Sequence, residues 1–224
     1  MSYALIIPVY NEEISLKKLI PQLKRLNQKI EVVIINDGST DNTKSILEEN
    51  DDFKIINNAE NQGKGYSIIK GVKASESDNI ILMDGDLEID LKSVLEHITE
   101  YELRNKQVIV GSRWNENSNI GSSINTYGNY FFNYLFNIIY KTRVKDVLCC
   151  VKILDKNLFN SLDLNSSGFS IEIELMAKLA INKAKFFNVE VFYNRRTVSD
   201  GKKLKISDGW NILCKMLEIK IKGN

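Results

Sequence analysis

Short runs of consecutive apolar residues alternate along this chain with stretches in which apolar residues recur every three or four positions. The runs Tyr3–Pro8, Glu31–Asn36, Phe53–Asn57, Asn79–Asp84 and Val108–Ser112 read as strands. EVVIIN and NIILMD are nearly unbroken, as expected for strands covered on both faces. Between them, Ile14–Asn27 places Leu16, Leu19, Ile20 and Leu23 on one helical face, and Gly65–Ala74 and Leu91–Arg104 follow the same period. Gly38-Ser39-Thr40-Asp41 breaks the chain and caps a further helix that runs through Glu49. The pattern is repeated β-α-β with short connections, which predicts an α/β fold with a single, mostly parallel, Rossmann-like sheet flanked by helices.

The second half is less regular. A polar loop (Trp114–Ser123) leads to an aromatic helix (Ile124–Tyr140), a helix near Ile171–Ala180, a strand (Ala184–Tyr193), a basic loop and a terminal helix (Ser207–Ile221). No linker or repeat divides the chain, so one domain over residues 1–224 is expected. Within it, residues 1–113 carry the regular β-α-β repeat, 114–206 the less regular second half, and 207–224 an amphipathic C-terminal helix.

Composition narrows the function classes. The 224 residues are 43% hydrophobic and 26% charged, enough apolar mass for a buried core. The formal charge is +1, which argues against a nucleic-acid-binding surface. The charge is uneven: Arg195–Asn224 holds eight basic residues against three acids. That segment reads either as a solvated basic helix or as a cationic lip over something anionic. Three cysteines (Cys149, Cys150, Cys214) are too few for a disulfide framework and lack zinc spacing, pointing to a reduced, cytoplasmic chain. The vicinal Cys149 and Cys150 read as small packing residues rather than a redox pair. The N-terminal segment lacks a basic stretch ahead of an apolar one, so no cleaved leader is expected, and no apolar run reaches membrane-spanning length.

Ligands of open α/β sheets sit beyond the carboxyl ends of the strands. Here those ends read Pro8-Val9-Tyr10-Asn11-Glu12, Asn36-Asp37-Gly38, Asp84-Gly85-Asp86-Leu87-Glu88 and Gly111-Ser112-Arg113. No phosphate-cradling glycine loop follows the first strand, which argues against a dinucleotide fold and a P-loop. An acidic rim repels a diphosphate unless a divalent cation lies between them. Asp84 and Asp86, two apart in an extended segment, point to one side, with Glu88 continuing the row. Hard oxygen ligands of this kind suit Mg²⁺ or Mn²⁺.

The segments IIPVYNEE, VVIINDGSTDNT, NQGKGYSIIKG, IILMDGDLE and VIVGSR resemble, in order and spacing, the donor-binding half of family 2 glycosyltransferases of the GT-A fold. DVLCCVK (Asp146–Lys152), GFSIEIELMAK (Gly168–Lys178) and RTVSDGKKL (Arg196–Leu204) are similar to the branch containing dolichyl-phosphate mannose synthase and bacterial polyprenyl-phosphate sugar transferases. The resemblance implies that Pro8, Tyr10 and Glu12 hold the nucleoside of a UDP- or GDP-linked sugar. Asp37 would hydrogen-bond the base, and Lys64 would border the same pocket. Asp84, Asp86 and Glu88 match metal positions, and Arg113, Arg196, Lys202 and Lys203 match cationic positions around the phosphates. Asp146 matches a key acid on the acceptor side. It would act as base toward a hydroxyl acceptor or organise metal and acceptor cations if the acceptor is a lipid phosphate, already an anion. Glu172 or Glu174 would support the acceptor site; they share a face on a strand-like stretch and diverge on a helix.

Some residues depart from the family pattern. Asn36 stands where many relatives have a second Asp, and Leu148-Cys149-Cys150 replaces smaller or more polar residues. The sequence therefore predicts a metal-dependent, inverting glycosyltransferase whose acceptor is a polyprenyl phosphate. A soluble transferase with a hydroxyl acceptor, and a non-catalytic nucleotide-sugar-binding or scaffold subunit, are the alternatives. The aromatic helix carries more apolar side chains than one buried stripe needs, and the terminal helix pairs Trp210, Leu213 and Leu217 with Lys215, Lys220 and Lys222. Peripheral contact with the cytoplasmic face of a membrane is expected from that pattern.

Overall fold

Seven strands form one sheet in the order β3-β2-β1-β4-β6-β5-β7. A computed structural model of the chain describes residues 1–26, 30–105, 107–114, 124–195 and 206–223. The strands are β1 (Tyr3–Val9), β2 (Glu31–Asn36), β3 (Lys54–Asn57), β4 (Asn79–Leu82), β5 (Val108–Ser112), β6 (Lys152–Asp155) and β7 (Phe186–Glu190). The helices are α1 (Glu13–Leu26), α2 (Thr43–Glu48), α3 (Lys64–Ala74), α4 (Leu91–Leu103), α5 (Ile124–Tyr140), α6 (Lys156–Ser161), α7 (Ile171–Ile181) and α8 (Ile206–Lys222).

The unbroken apolar runs serve two cores at once. Successive side chains of a strand point to opposite faces. In β1, Leu5 and Ile7 join a core with Leu16, Leu19 and Leu23 of α1 and Val94 of α4. Ala4 and Ile6 join the opposite core with Ile68 and Val72 of α3 and with residues of α5, α7 and α8. β2 divides in the same way, Val32 and Ile34 to one face and Val33 and Ile35 to the other.

The sheet departs from the sequence expectation at β6. This four-residue strand follows the Asp146–Val151 segment and inserts between β4 and β5, antiparallel to both. Its first residue, Lys152, is buried, so no apolar run announces it. The other strand pairings are parallel, and the expected mixed α/β sheet flanked by helices is what forms. β4 ends at Leu82 rather than Asp84, and the last strand is shorter than Ala184–Tyr193, spanning Phe186–Glu190.

Candidate active site

The loops after β1 and β2 lock together at the carboxyl edge of the sheet. Asn11, at φ 50°, donates from its backbone amide to Ser39 Oγ at 3.0 Å, and the Glu12 amide donates to Thr43 Oγ1 at 2.8 Å. Pro8 and Tyr10 are half-buried on this rim, while Glu12 is buried and its Oε2 accepts from the Ser15 hydroxyl at 2.7 Å.

Asp37 is buried and does local work. Oδ1 accepts from Asn58 Nδ2 at 2.8 Å and from the Gln62 amide at 3.0 Å, and Oδ2 accepts from the Gly63 amide at 2.8 Å. The carboxylate thus fastens the 58–63 loop at the N-terminal end of α3, where a negative charge also complements the helix dipole. The loop crosses so close to Gly38 that a Cβ there would stand 2.3 Å from the Glu60 carbonyl carbon, and Gly38 sits at φ +67°. Gly63 and Gly65 serve the other side of α3. Methyl groups on them would lie 2.5 Å from Ser167 O and 2.0 Å from Ser166 O. The two glycines of N-Q-G-K-G therefore let the 166–168 segment press against the start of α3, where the Tyr66 amide donates to Ser167 O at 3.0 Å.

Lys64, between those glycines, points at Asp84. Its Nζ lies 2.8 Å from Asp84 Oδ1, 2.9 Å from Oδ2 and 2.8 Å from Glu172 Oε1. Burial opposes its charge, but Asp84 and then Glu172 outweigh burial and raise its pKa well above the ordinary lysine value. Glu172 Oε2 accepts in turn from the wholly buried Lys152, whose ammonium also donates to Cys149 O. Burial pushes the Glu172 carboxyl up, yet Lys152 and Lys64 together pull it down to about 2. Lys152 is the main site residue that sequence reasoning missed; the one available signal was a lone lysine between the small-residue stretch and the apolar Ile153-Leu154.

The expected acidic row after β4 is corrected. The chain bends from Gly85 to Glu88, and Leu87 takes φ 61°. Glu88 turns away from an extended line: its Oε2 accepts from the Tyr193 hydroxyl at 3.2 Å, and its carbonyl accepts from the Asn194 amide at 2.7 Å. Asp86 Oδ1 accepts from the Glu88 amide at 3.0 Å. Gly85 lies against β1, where a Cβ would stand 2.5 Å from Val9 Cγ1, so the residue between the two aspartates has no room for a side chain. Among the described residues no three His, Cys, Asp or Glu side chains form a metal cage. Mg²⁺ or Mn²⁺ nonetheless suits this edge. Such ions are commonly held by one or two carboxylates with substrate phosphates and water completing the shell, and Asp84 already holds a cationic group, the Lys64 ammonium, on both oxygens. Asp84 and Asp86 are the residues that would hold the metal; when bound, it supplies charge neutralisation for a diphosphate.

Across the rim, Arg113 and Asp146 meet. Arg113 Nε donates to Asp146 Oδ2 at 2.7 Å, Nη2 to Oδ1 at 2.8 Å, and the Arg113 amide to Oδ2 at 3.2 Å. Burial opposes the guanidinium charge, and Asp146 overrides it, raising the Arg113 pKa above its ordinary value. Tyr193 and Trp114 flank this guanidinium at 5.5 and 5.6 Å, and Trp114 stacks on Tyr130 of α5 with centroids 4.3 Å apart. A cavity of about 500 Å³ opens there, lined by Trp114, Tyr130, Asn133, Asn137, Arg143 and Lys145 among others.

The two glutamates of GFSIEIEL diverge, because the segment is helical. Glu172 faces Lys64 and Lys152, whereas Glu174 accepts from the Asn165 and Ser166 amides and pairs with Lys178 at 2.8 Å. Burial works against the Glu174 charge, and those bonds lower its pKa. Glu174 thus braces the 165–166 segment that packs on α3. Arg196, Lys202 and Lys203 lie outside the described residues.

The doubly covered, mostly parallel α/β sheet with an acidic carboxyl edge has the GT-A fold. Residues 4–162 match the family model described as Glycosyl transferase family 2. The chain belongs to that family and is a glycosyltransferase. An uncharacterised protein of Methanocaldococcus jannaschii is 28% identical over 208 residues, covering 87% of this chain and 90% of that protein. An undecaprenyl-phosphate 4-deoxy-4-formamido-L-arabinose transferase of Proteus mirabilis is 38% identical over 95 residues, 38% of this chain and 29% of that protein. The fold is similar to glucosyl-3-phosphoglycerate synthase of Mycobacterium tuberculosis, solved with Mn²⁺, uridine diphosphate and phosphoglyceric acid. There the TM-score is 0.77 at 15% identity, covering 98% of this chain and 78% of that one.

Proposed function

We propose that this chain transfers a sugar, with inversion, from a UDP- or GDP-linked donor to a polyprenyl phosphate at a membrane surface, with Mg²⁺ or Mn²⁺ as cofactor. Asp84 and Asp86 would hold the metal at the diphosphate. Pro8, Tyr10 and Glu12 would line the nucleoside side, with Asp37 holding the loop beside it. Arg196, Lys202 and Lys203 would add cationic contacts.

The observation that carries the acceptor class is the Arg113–Asp146 pair. Asp146 is the acid expected to deprotonate a hydroxyl acceptor, and Arg113 engages both of its oxygens. An acceptor that is already an anion needs no such base. A phosphate would be met by the cavity beside this pair, which is lined by Arg143 and Lys145. The partial likeness to an undecaprenyl-phosphate transferase supports the same class.

Two helices support a membrane partner. On α5, Phe136 is buried, and Phe132, Leu135 and Ile139 pack beside it. Tyr127, Phe131, Tyr134 and Ile138, spaced four, three and four apart, form a second stripe, with Phe131 55% and Tyr134 68% exposed. α8 buries Ile212, Met216 and Ile219, while Trp210 (68% exposed), Leu217 and Ile221 (77%) form an outward stripe. The helices lie side by side: Tyr140 Oη donates to Met216 O at 2.7 Å, and Gly209 sits near the Phe132 ring. Both inner faces rest on one core, so both outer stripes face away from the same side of the sheet. Exposed Tyr and Trp suit an interfacial partner, and Lys141, Arg143, Lys145, Lys220 and Lys222 lie on or beside these two helices. Among the described residues no helix is long and apolar enough to cross a membrane.

The test offers UDP- and GDP-sugars with Mn²⁺ to two acceptors, polyprenyl phosphate in anionic vesicles and a water-soluble saccharide, and measures nucleotide release. Release with the lipid acceptor is expected. Vesicle binding should weaken with salt, since anionic surfaces attract each nearby Lys by about 1 kcal/mol. Phe131→Gln with Trp210→Gln should reduce vesicle binding and leave nucleotide binding intact. Efficient turnover of the saccharide by a protein that ignores vesicles would overturn the lipid-acceptor reading.

A further inference from the structure

Four charged side chains run in one line from the sheet to the D-x-D bend, with alternating sign: Lys152, Glu172, Lys64 and Asp84. Lys152 is wholly buried on β6 and donates to Glu172 Oε2 and to Cys149 O. Glu172 Oε1 lies 2.8 Å from Lys64 Nζ, and that ammonium spans both oxygens of Asp84, at 2.8 and 2.9 Å. The side chain of Lys64 is largely sheltered and that of Glu172 nearly fully so.

We infer that Lys64 is a built-in counter-cation for Asp84. It holds the carboxylate in the ligand-free chain, yields it when a divalent cation binds, and is kept at the site by Glu172, which Lys152 anchors, so that it can turn to the diphosphate. This role rests on the nucleotide-sugar reading and deepens it. The line is neutral as it stands, with two ammonium groups against two carboxylates. A divalent cation alone must compete with Lys64 for the same oxygens, and Asp86 offsets only one of its two positive charges, in a partly sheltered region where uncompensated charge is costly. A diphosphate arriving with the cation cancels that excess and gives the displaced ammonium a new partner. Metal and diphosphate therefore bind as a coupled pair, and the coupling is reciprocal. Lys152 and Glu172 act through Lys64 and are positioning residues.

The experiment measures Mn²⁺ binding to the full chain by electron paramagnetic resonance, with and without UDP or GDP, for the wild type, Lys64→Met and Lys64→Gln. Circular dichroism confirms that each variant is folded. Wild-type chain should bind Mn²⁺ weakly alone and about tenfold or more tightly with the nucleotide. Removing the ammonium should tighten Mn²⁺ binding in the absence of nucleotide by about tenfold and reduce the nucleotide effect to the part that comes from the diphosphate's own oxygens on the metal. The inference is overturned if folded Lys64→Met and Lys64→Gln bind Mn²⁺ alone no better than the wild type. If neither nucleotide alters Mn²⁺ binding to the wild type, the donor reading fails. The comparison of Mn²⁺ alone between wild type and variants then still decides the role of Lys64. Glu172→Gln, which loosens the tether, should weaken nucleotide binding in the presence of metal; unchanged binding would remove the tether from the scheme.

Discussion

Arg113 grips Asp146 at two points, Nε to Oδ2 at 2.7 Å and Nη2 to Oδ1 at 2.8 Å, and both side chains are largely withdrawn from water. Removing one partner of such a pair strands the other's charge, at a cost of about 3–5 kcal/mol, whereas replacing both with apolar groups is often near neutral. Asp146→Asn should therefore lower the urea midpoint markedly, and Arg113→Leu combined with Asp146→Leu should recover most of the loss. A wild-type midpoint for Asp146→Asn would show that the pair contributes little to stability.

The D-x-D bend gives a pair of contrasting substitutions. Asp86→Ala changes a partly exposed carboxylate in the bend four residues beyond β4, so the fold should survive while the stabilisation by Mn²⁺ with UDP or GDP disappears. In wild type that stabilisation is about 2.7 kcal/mol at a hundredfold excess of ligand over its dissociation constant. Gly85→Ala acts differently, because its new methyl would stand 2.5 Å from Val9 Cγ1 and 3.0 Å from Ile7 Cγ2. Overpacking of this kind costs about 1–3 kcal/mol. Thermal unfolding without ligand should fall for Gly85→Ala and stay near wild type for Asp86→Ala. The reverse order would contradict the packing seen at Gly85.

Glu172 predicts an acid response. Its carboxyl is held near about 2 instead of 4.5, burial being outweighed by Lys152 and Lys64. As pH falls, the unfolded chain takes up this proton first, so the contribution to stability is present above about 4.5 and is lost progressively toward 2. A shift of that size corresponds to roughly 3 kcal/mol. Glu172→Gln should be less stable than wild type at neutral pH and show a flatter stability profile across that acid window. Parallel profiles for the two proteins would mean that Glu172 titrates normally.

The parts of the molecule legible in the sequence are those whose physics is local. The runs EVVIIN and NIILMD announced strands covered on both faces, because every position of such a strand must be apolar whichever core it meets. Gly38 marked a break in the chain, and it takes positive φ. The acidic carboxyl edge could be placed because strand ends locate it. The same reasoning failed where the local pattern misleads. Asp84–Glu88 looked like one extended row, but Gly85 packs on β1 and Leu87 turns the chain, so Glu88 faces Tyr193. The KILD segment gave no strand signal because its lysine is buried by a partner twenty residues further on.

The sequence by itself determined the alternation of strands and helices, the family motifs and the candidate set of charged residues. Only the tertiary structure decided how those charges are partnered. Asp146 turned out to be engaged by Arg113, Glu172 by two lysines, and Glu174 by the backbone of the 165–166 segment. Insertion of β6 between β4 and β5 brings Lys152 within reach of α7, and the glycines at the start of α3 let that helix approach the 166–168 segment. Hydrophobic periodicity is written along the chain because it reflects the repeat of each element, whereas electrostatic pairing acts through space between residues that only the fold makes neighbours.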